Sequence, residues 1–418
     1  MEIQRPYFLN ELIIRKGNGL IKVITGIRRS GKSYLVFNQF KKHLLDTGTA
    51  EDHIFEMAFD TKDNEKYKNS NVFYPYIKSL IKNDGAPFYV LLDEIQMLSD
   101  FVSVLNGLIR MPNVDVYVTG SNAHLLSKDI VTEFRGRGDE VHLSPLSFAE
   151  FMSVYRGDRY TAWDEYITYG GLPSVVLADN VQLKVNLLNQ LLQETYIRDI
   201  LERHKIYHEP EMEELFDLLA SSIGSLTNPT KLSNTFQSVK NIKIGADTLQ
   251  TYIGYFEDSF LVSSAKRYDI KGKNYINTPK KYYFTDSGLR NARLNFRQLE
   301  ENHIMENVIY NELCMRGYGV DVGVVEYNTT DQSGKKIRKQ LEVDFVCNRG
   351  SRRYYIQSAY AIPNEEKRKQ EESSLLRIDD SFKKIIITKN GLSNWYTENG
   401  ILVLNIFDFL MNPDSLDR

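Results

Sequence analysis

Between about residue 18 and residue 144 the chain alternates short, nearly unbroken apolar runs with amphipathic stretches. The runs are Leu20-Ile21-Lys22-Val23-Ile24, Ile54-Phe55-Glu56-Met57-Ala58-Phe59, Phe88-Tyr89-Val90-Leu91-Leu92, Val114-Asp115-Val116-Tyr117-Val118 and Val141-His142-Leu143. Runs of this length suit strands buried on both faces. Between them Val36, Phe40 and Leu44 recur at helical spacing, as do Leu105, Leu108 and Ile109. The alternation predicts a parallel sheet with helices on both faces.

The pattern changes after Pro145. Ser147-Phe148-Ala149-Glu150 has the form of a capping box and predicts a helix start. Residues 160–220 read as mostly helical. Helices are expected at Glu211–Ile223, Pro229–Val239 and Asp247–Phe260, the last with Leu249, Ile253 and Phe256 on one apolar face. Strands Phe260–Tyr268 and Lys281–Phe284 would follow around the loop Asp269–Pro279, which together is the outline of a winged helix. A helix near Glu301–Arg316 then opens a further α/β segment, with strands at Val322–Tyr327, Gln340–Cys347, Arg353–Tyr360, Lys384–Thr388 and Ile401–Leu404. No period of 20–50 residues suggests a repeat array. The expected domains are residues 1–155, a helical linker or lid at 156–208, a winged helix at 209–295 and an α/β domain at 296–418.

Composition narrows the class without naming it. The 418 residues are 42% hydrophobic and 26% charged, with a net charge of −3, so several ordinary cores are affordable and no global charge demands a polyanion partner. Two cysteines, Cys314 and Cys347, are too few for a disulfide framework or a zinc site. No apolar run approaches the ~18–20 residues that span a bilayer. Met1-Glu2-Ile3-Gln4-Arg5-Pro6 lacks the form of a signal peptide. A cytoplasmic protein without a membrane partner is expected.

The chemistry concentrates in the first domain. Gly26-Ile27-Arg28-Arg29-Ser30-Gly31-Lys32-Ser33 matches the phosphate-binding pattern G-x-x-x-x-G-K-[ST] in full, and it sits between a predicted strand and a predicted helix. Glycines let backbone N–H groups approach phosphate, and the helix N-terminus favours negative charge. The segment Gly26 to Tyr34 is therefore the expected cradle for ATP. Lys32 would reach the β and γ phosphates, and the Ser33 hydroxyl would ligate Mg²⁺. The run Phe88–Leu92 ends in Asp93-Glu94; Asp93 would support the Mg²⁺ and Glu94 would polarise the attacking water. At Thr119-Gly120-Ser121-Asn122, Ser121 or Asn122 would stand beside the γ-phosphate or the water, the alternative being an ordinary polar turn. In Phe134-Arg135-Gly136-Arg137-Gly138, Arg137 is the candidate guanidinium for the charge that develops in transfer, the alternative being a solvated loop.

These segments, with Leu92-Asp93-Glu94-Ile95-Gln96, Pro145-Leu146-Ser147-Phe148-Ala149-Glu150-Phe151 and Tyr169-Gly170-Gly171-Leu172-Pro173, resemble bacterial and archaeal AAA-type ATPases whose C-terminal half is a domain of unknown function. The resemblance implies an ATP-binding domain, a winged-helix region and a nuclease-like α/β tail. It also implies a homo-oligomer, because such ATPases often place an arginine in a neighbour's site. Restriction-endonuclease-like folds gather a divalent metal with a helix Glu, a strand Asp and an acid-x-Lys. Here the corresponding positions are Glu306, Asp344, Gln357 and Ala359. Two of the four roles lack a suitable side chain, so a remnant is expected rather than an active nuclease. Glu342, two residues before Asp344, leaves a displaced metal site open.

Two basic stretches are candidates for nucleic acid. Lys266, Arg267, Lys271, Lys273, Lys280 and Lys281 surround the expected wing, and Lys335, Lys336, Arg338 and Lys339 form a second cluster. The alternative is solvated loops. The sequence thus reads as an Mg²⁺-dependent ATPase with ATP and ADP as ligands. The other reading is an ATP-switched module that binds DNA or a protein partner.

Overall fold

The computed structural model describes residues 2–120, 136–206, 209–330, 334–391 and 393–417. The chain forms two compact units. One comprises residues 1–145 with 172–177 and 258–260; the other comprises residues 146–171, 178–257 and 261–418.

The first unit is built on α1 (Pro6–Ile14), β1 (Ile21–Thr25), α2 (residues 32–46), β2 (Ile54–Ala58), α3 (Ser70–Leu80), β3 (Phe88–Asp93), α4 (Phe101–Leu108), β4 (Val114–Thr119) and β5 (Gly138–His142). All five predicted strands form, and they make one parallel sheet in the order β2-β3-β4-β1-β5. Ile21, Val23, Val90, Leu92, Val116 and Val118 bury one face against Phe73 and Ile77 of α3 and Val104, Leu105 and Leu108 of α4. Each such side chain contributes about 1.5–3 kcal/mol when buried, which is why apolar runs rather than alternating ones specify these strands. Lys22 and Asp115, the charges that interrupt two runs, are buried together as an ion pair. The register sets Ile24 beside Thr119 and Leu92 beside Val118, so Thr25, Asp93 and Thr119 end their strands at one edge of the sheet. Two helices had no strong sequence signal, α1 before the first strand and α3 with Pro75 inside it.

The second unit opens with α5 (Phe148–Met152), whose capping box forms as expected. Glu150 N–H donates to Ser147 Oγ at 3.2 Å, and Ser147 N–H donates to Glu150 Oε2 at 2.9 Å. There follow α6 (Arg159–Tyr169), α7 (residues 181–204), α8 (Glu209–Ser221), α9 (residues 229–240), α10 (Ala246–Asp258), β6 (Val262–Asp269), β7 (Asn274–Phe284), α11 (Ser287–Arg293) and α12 (Glu301–Met315). The Tyr169-Gly170-Gly171 segment is a docking turn. Gly171 N–H donates to Asp286 Oδ2 at 2.7 Å, and Asn291 Nδ2 donates to the carbonyls of Ile167 and Thr168 at 2.8 and 2.9 Å. Gly170 adopts φ +77°, and a Cβ there would meet the Asp286 carboxylate at 2.1 Å, so only glycine closes this turn.

The remaining elements are β8 (Gly319–Thr330), β9 (Lys336–Arg349), β10 (Arg352–Ala359), α13 (Glu365–Leu375), β11 (Lys383–Thr388), β12 (Trp395–Tyr396), β13 (Leu402–Asn405) and α14 (Ile406–Met411). They form a mixed eight-stranded sheet in the order β12-β13-β11-β10-β9-β8-β6-β7. The β6–β7 hairpin is longer than its apolar residues announced, and β6 pairs in parallel with β8, with Arg267 opposite Val322. The hairpin read as a wing therefore shares its sheet with the tail. Among the described residues no helix is long and apolar enough to cross a membrane.

Candidate functional site

The loop between β1 and α2 is held from below. Gly26 adopts φ +134°, and a Cβ there would lie 2.2 Å from the carbonyl oxygen of Leu143. Gly31, at φ +97°, caps α2. Both positions therefore require glycine for geometric reasons. Arg5, which no sequence signal marked, is buried beneath the loop. Its guanidinium donates to the carbonyls of Ser30 at 3.1 Å, Ser144 at 2.8 Å and Pro145 at 3.4 Å. The loop thus carries a fixed shape with its own counter-charge at the back.

Inside the loop, Lys32 Nζ donates to the carbonyls of Gly26 at 2.9 Å and Ile27 at 3.1 Å. Burial pushes its ammonium down to about 8, against the opposing pull of Glu94 and Asp93. Ser30 Oγ is buried and has no hydrogen-bond partner among the described residues. A buried hydroxyl without a partner and an ammonium held only by carbonyls are a donor set that suits phosphate oxygens.

The strand ends complete the site. Ser33 Oγ lies 2.9 and 2.8 Å from the two carboxylate oxygens of Asp93. Thr119 Oγ1 also donates to Asp93, and Glu94 N–H donates to Thr119 Oγ1 at 3.2 Å. Burial raises the Asp93 carboxyl above its ordinary value, and the hydrogen bonds from Thr119 and Ser33 oppose that shift. Glu94 sits in the left-handed region at φ +51°, and Gln96 Nε2 donates to its carboxylate. A hydroxyl and a carboxylate in contact at a phosphate loop fit a hard divalent cation such as Mg²⁺. In Thr119-Gly120-Ser121-Asn122 the sequence assigns a role to Ser121 or Asn122 and none to Thr119, whose signal is a hydroxyl at the end of the strand beside the one bearing Asp93.

The other expected residues fare differently. Ser121 and Asn122 lie outside the described residues. Arg137 is exposed and precedes β5; its carbonyl accepts from Ile21 N–H at 2.8 Å, and its guanidinium donates to Asn106 Oδ1 at 3.1 Å. Because β5 runs parallel to β1, Arg137 lies at the edge opposite the loop, about five residues of strand or ~16 Å away. The fold therefore does not bring Arg137 and the phosphate loop together within one chain.

In the second unit Glu306, Asp344 and Gln357 do converge. They line one cavity of about 630 Å³ with Asn302, His303 and Ser358. Gln357 Oε1 accepts from Asp344 N–H at 3.4 Å, and Ser358 N–H donates to Asp344 Oδ2 at 2.8 Å. Lys281, expected on an exposed wing, is instead buried among these acids. Its ammonium lies 2.9 Å from Glu306, 2.7 Å from Glu342 and 3.4 Å from Asp344. Among the described residues no three His, Cys, Asp or Glu side chains are grouped as metal ligands. With Gln357 and Ala359 at the third and fourth positions and an ammonium in the middle, the residues present do not fit a catalytic divalent metal.

Comparison with known proteins agrees with the first unit's geometry. Residues 18–152 match the model of an AAA domain, and residues 160–300 match a domain of unknown function. An uncharacterized protein of Haemophilus influenzae is 34% identical over 98% of this chain and 98% of its own length. An uncharacterized protein of Methanocaldococcus jannaschii is 28% identical over 84% of this chain and 77% of its own. The structure of the Aeropyrum pernix ORC1 protein in complex with DNA aligns over 71% of this chain and 93% of that one, but at 10% identity and a TM-score of 0.33 it carries no argument. With a match across nearly its whole length, the chain belongs to one family with the Haemophilus influenzae protein, and its residues 18–152 are an AAA domain.

Proposed function

We propose that this protein is an Mg²⁺-dependent ATPase that converts ATP and water to ADP and phosphate in its first unit. One observation carries the reading: Ser33, Asp93, Thr119 and Glu94 meet at the mouth of the Lys32 loop. Ser33 and Asp93 would hold Mg²⁺, which supplies charge neutralisation for the phosphates when bound. Lys32 and the loop N–H groups would bind the β and γ phosphates, and Glu94 would accept a proton from the attacking water. Thr119 fixes Asp93 and the Glu94 backbone, so it acts as a positioning residue. ATP binding and hydrolysis would then drive conformational change in the helical and C-terminal parts.

A second output, contact with a nucleic-acid backbone, is favoured by one specific feature. Arg267 of β6 donates to Gln340 of β9 at 3.0 Å, which brings Arg267 to the strand that carries Lys336, Arg338 and Lys339. The three helices α8–α10 with the β6–β7 hairpin support a winged-helix reading. However, α10 carries Asp247, Glu257 and Asp258 and no Lys or Arg, so recognition would rest on phosphates rather than bases.

Four outcomes are expected. Lys32→Ala loses ATP binding, while Glu94→Gln binds ATP but releases phosphate about 10²-fold more slowly or worse; normal turnover in both variants would sink the ATPase assignment. Only the protonated Lys32 holds phosphate, so ATP affinity measured by calorimetry falls as pH rises above about 8, with proton uptake on binding. An affinity that stays flat to pH 10 would contradict that role. Thr119→Val leaves buried groups without partners and lowers stability by about 1–3 kcal/mol in urea unfolding, with phosphate release reduced as well. A neutral effect on both would remove Thr119 from the site. Finally, duplex DNA is retarded at low salt by the wild type and about tenfold less by Lys266→Glu/Lys339→Glu; no retardation of DNA by the wild type would eliminate the second output.

A further inference from the structure

Three carboxylates from two elements of the second unit point at one position. Glu306 comes from α12, and Glu342 and Asp344 come from one face of β9. The position they surround is filled by the side chain of Lys281, which enters from β7 and is only 4% exposed. Its partners are themselves fixed. Glu306 Oε1 also accepts from Tyr283 OH at 2.7 Å, and Asp344 Oδ2 is held by Ser358 N–H. The nitrogen–oxygen separations of 2.7 to 3.4 Å are those of an ion pair, whereas divalent metals hold oxygens at roughly 2.0–2.6 Å.

We infer that Lys281 is the resident cation of this acid cluster, its ammonium standing where a nuclease-like acid set would hold a divalent metal. Electrostatics agree with the geometry. Burial alone would lower the Lys281 ammonium, but Glu306, Asp344 and Glu342 outweigh it and hold the ammonium well above the ordinary lysine value. Burial and the nearby Glu306 charge raise Asp344 to about 7, with Lys281 and the Ser358 N–H pulling the other way. Three carboxylates against one ammonium leave excess negative charge, which acts in the same direction as burial on Asp344. An ammonium needs neither an open coordination position nor an exchangeable water. The cluster therefore ties the β6–β7 hairpin to the rest of the sheet and to α12.

The test is Mn²⁺ binding by electron paramagnetic resonance on the full chain without nucleotide, in an Asp93→Asn background that silences the first unit's metal site. With Lys281 present, adding Asp344→Asn is expected to change nothing. Uptake of Mn²⁺ that depends on Asp344 would overturn the inference. With Lys281→Ala the three carboxylates lose their cation, and Mn²⁺ affinity is expected to rise by about tenfold or more, the gain vanishing when Asp344→Asn is added. A Lys281→Ala protein that is folded by circular dichroism yet gains no Mn²⁺ would also overturn it. If Lys281→Ala does not fold, rescue of its folding by Mn²⁺ supports the inference, and the first comparison decides alone if there is no rescue.

Discussion

The Asp93 carboxylate holds the first unit's chemistry together. It ends β3, a strand paired on both sides within the parallel sheet, is buried, and takes hydrogen bonds from Ser33 on the loop side and Thr119 on the neighbouring strand. A buried carboxylate is costly unless its oxygens are satisfied. Satisfying them fixes the first turn of α2, the end of β4 and, through Thr119, the backbone of Glu94. The Lys32 loop, the Ser33–Asp93 pair proposed to hold Mg²⁺ and the candidate base Glu94 are thus aligned by one acid. Arg5 and the close packing of Gly26 on Leu143 supply the matching constraint from beneath the loop.

The second unit follows the same physical rule with the opposite chemical result. It brings the buried acids Glu306 and Asp344 together with the half-exposed Glu342 and supplies their counter-charge from within the chain. In the first unit the partners of Asp93 are neutral hydroxyls, which leave its charge available to an incoming cation. In the second, Lys281 consumes that charge. A buried carboxylate thus faces neutral hydroxyls in the proposed nucleotide site, whereas the acids of the second unit are closed into an ion cluster.

Much of the first unit was legible in the sequence because its signals are local. The loop glycines, the Lys32-Ser33 pair, the five strand runs and the Asp93-Glu94 strand end each lie within a few residues of one another. What escaped notice depends on register and tertiary contact. Thr119 matters because β3 and β4 pair as they do, and Arg5 matters because α1 passes beneath the loop. Arg137 was placed near phosphate by its neighbours in sequence, whereas strand direction carries it to the far edge of the sheet. Lys281 read as one of six basic residues around a loop, but β7 extends to Asn274 and its pairing turns Lys281 inward. The hairpin's place in the eight-stranded sheet was equally hidden, since the pairing of β6 with β8 spans more than fifty residues of chain.

The most direct measurement is equilibrium ATP binding with and without Mg²⁺, on the wild type and on Asp93→Asn. In the wild type, Mg²⁺ is expected to tighten ATP binding. In Asp93→Asn, with circular dichroism unchanged, the tightening is expected to disappear. Equal Mg²⁺ dependence in the two proteins would contradict a nucleotide site organised around Asp93.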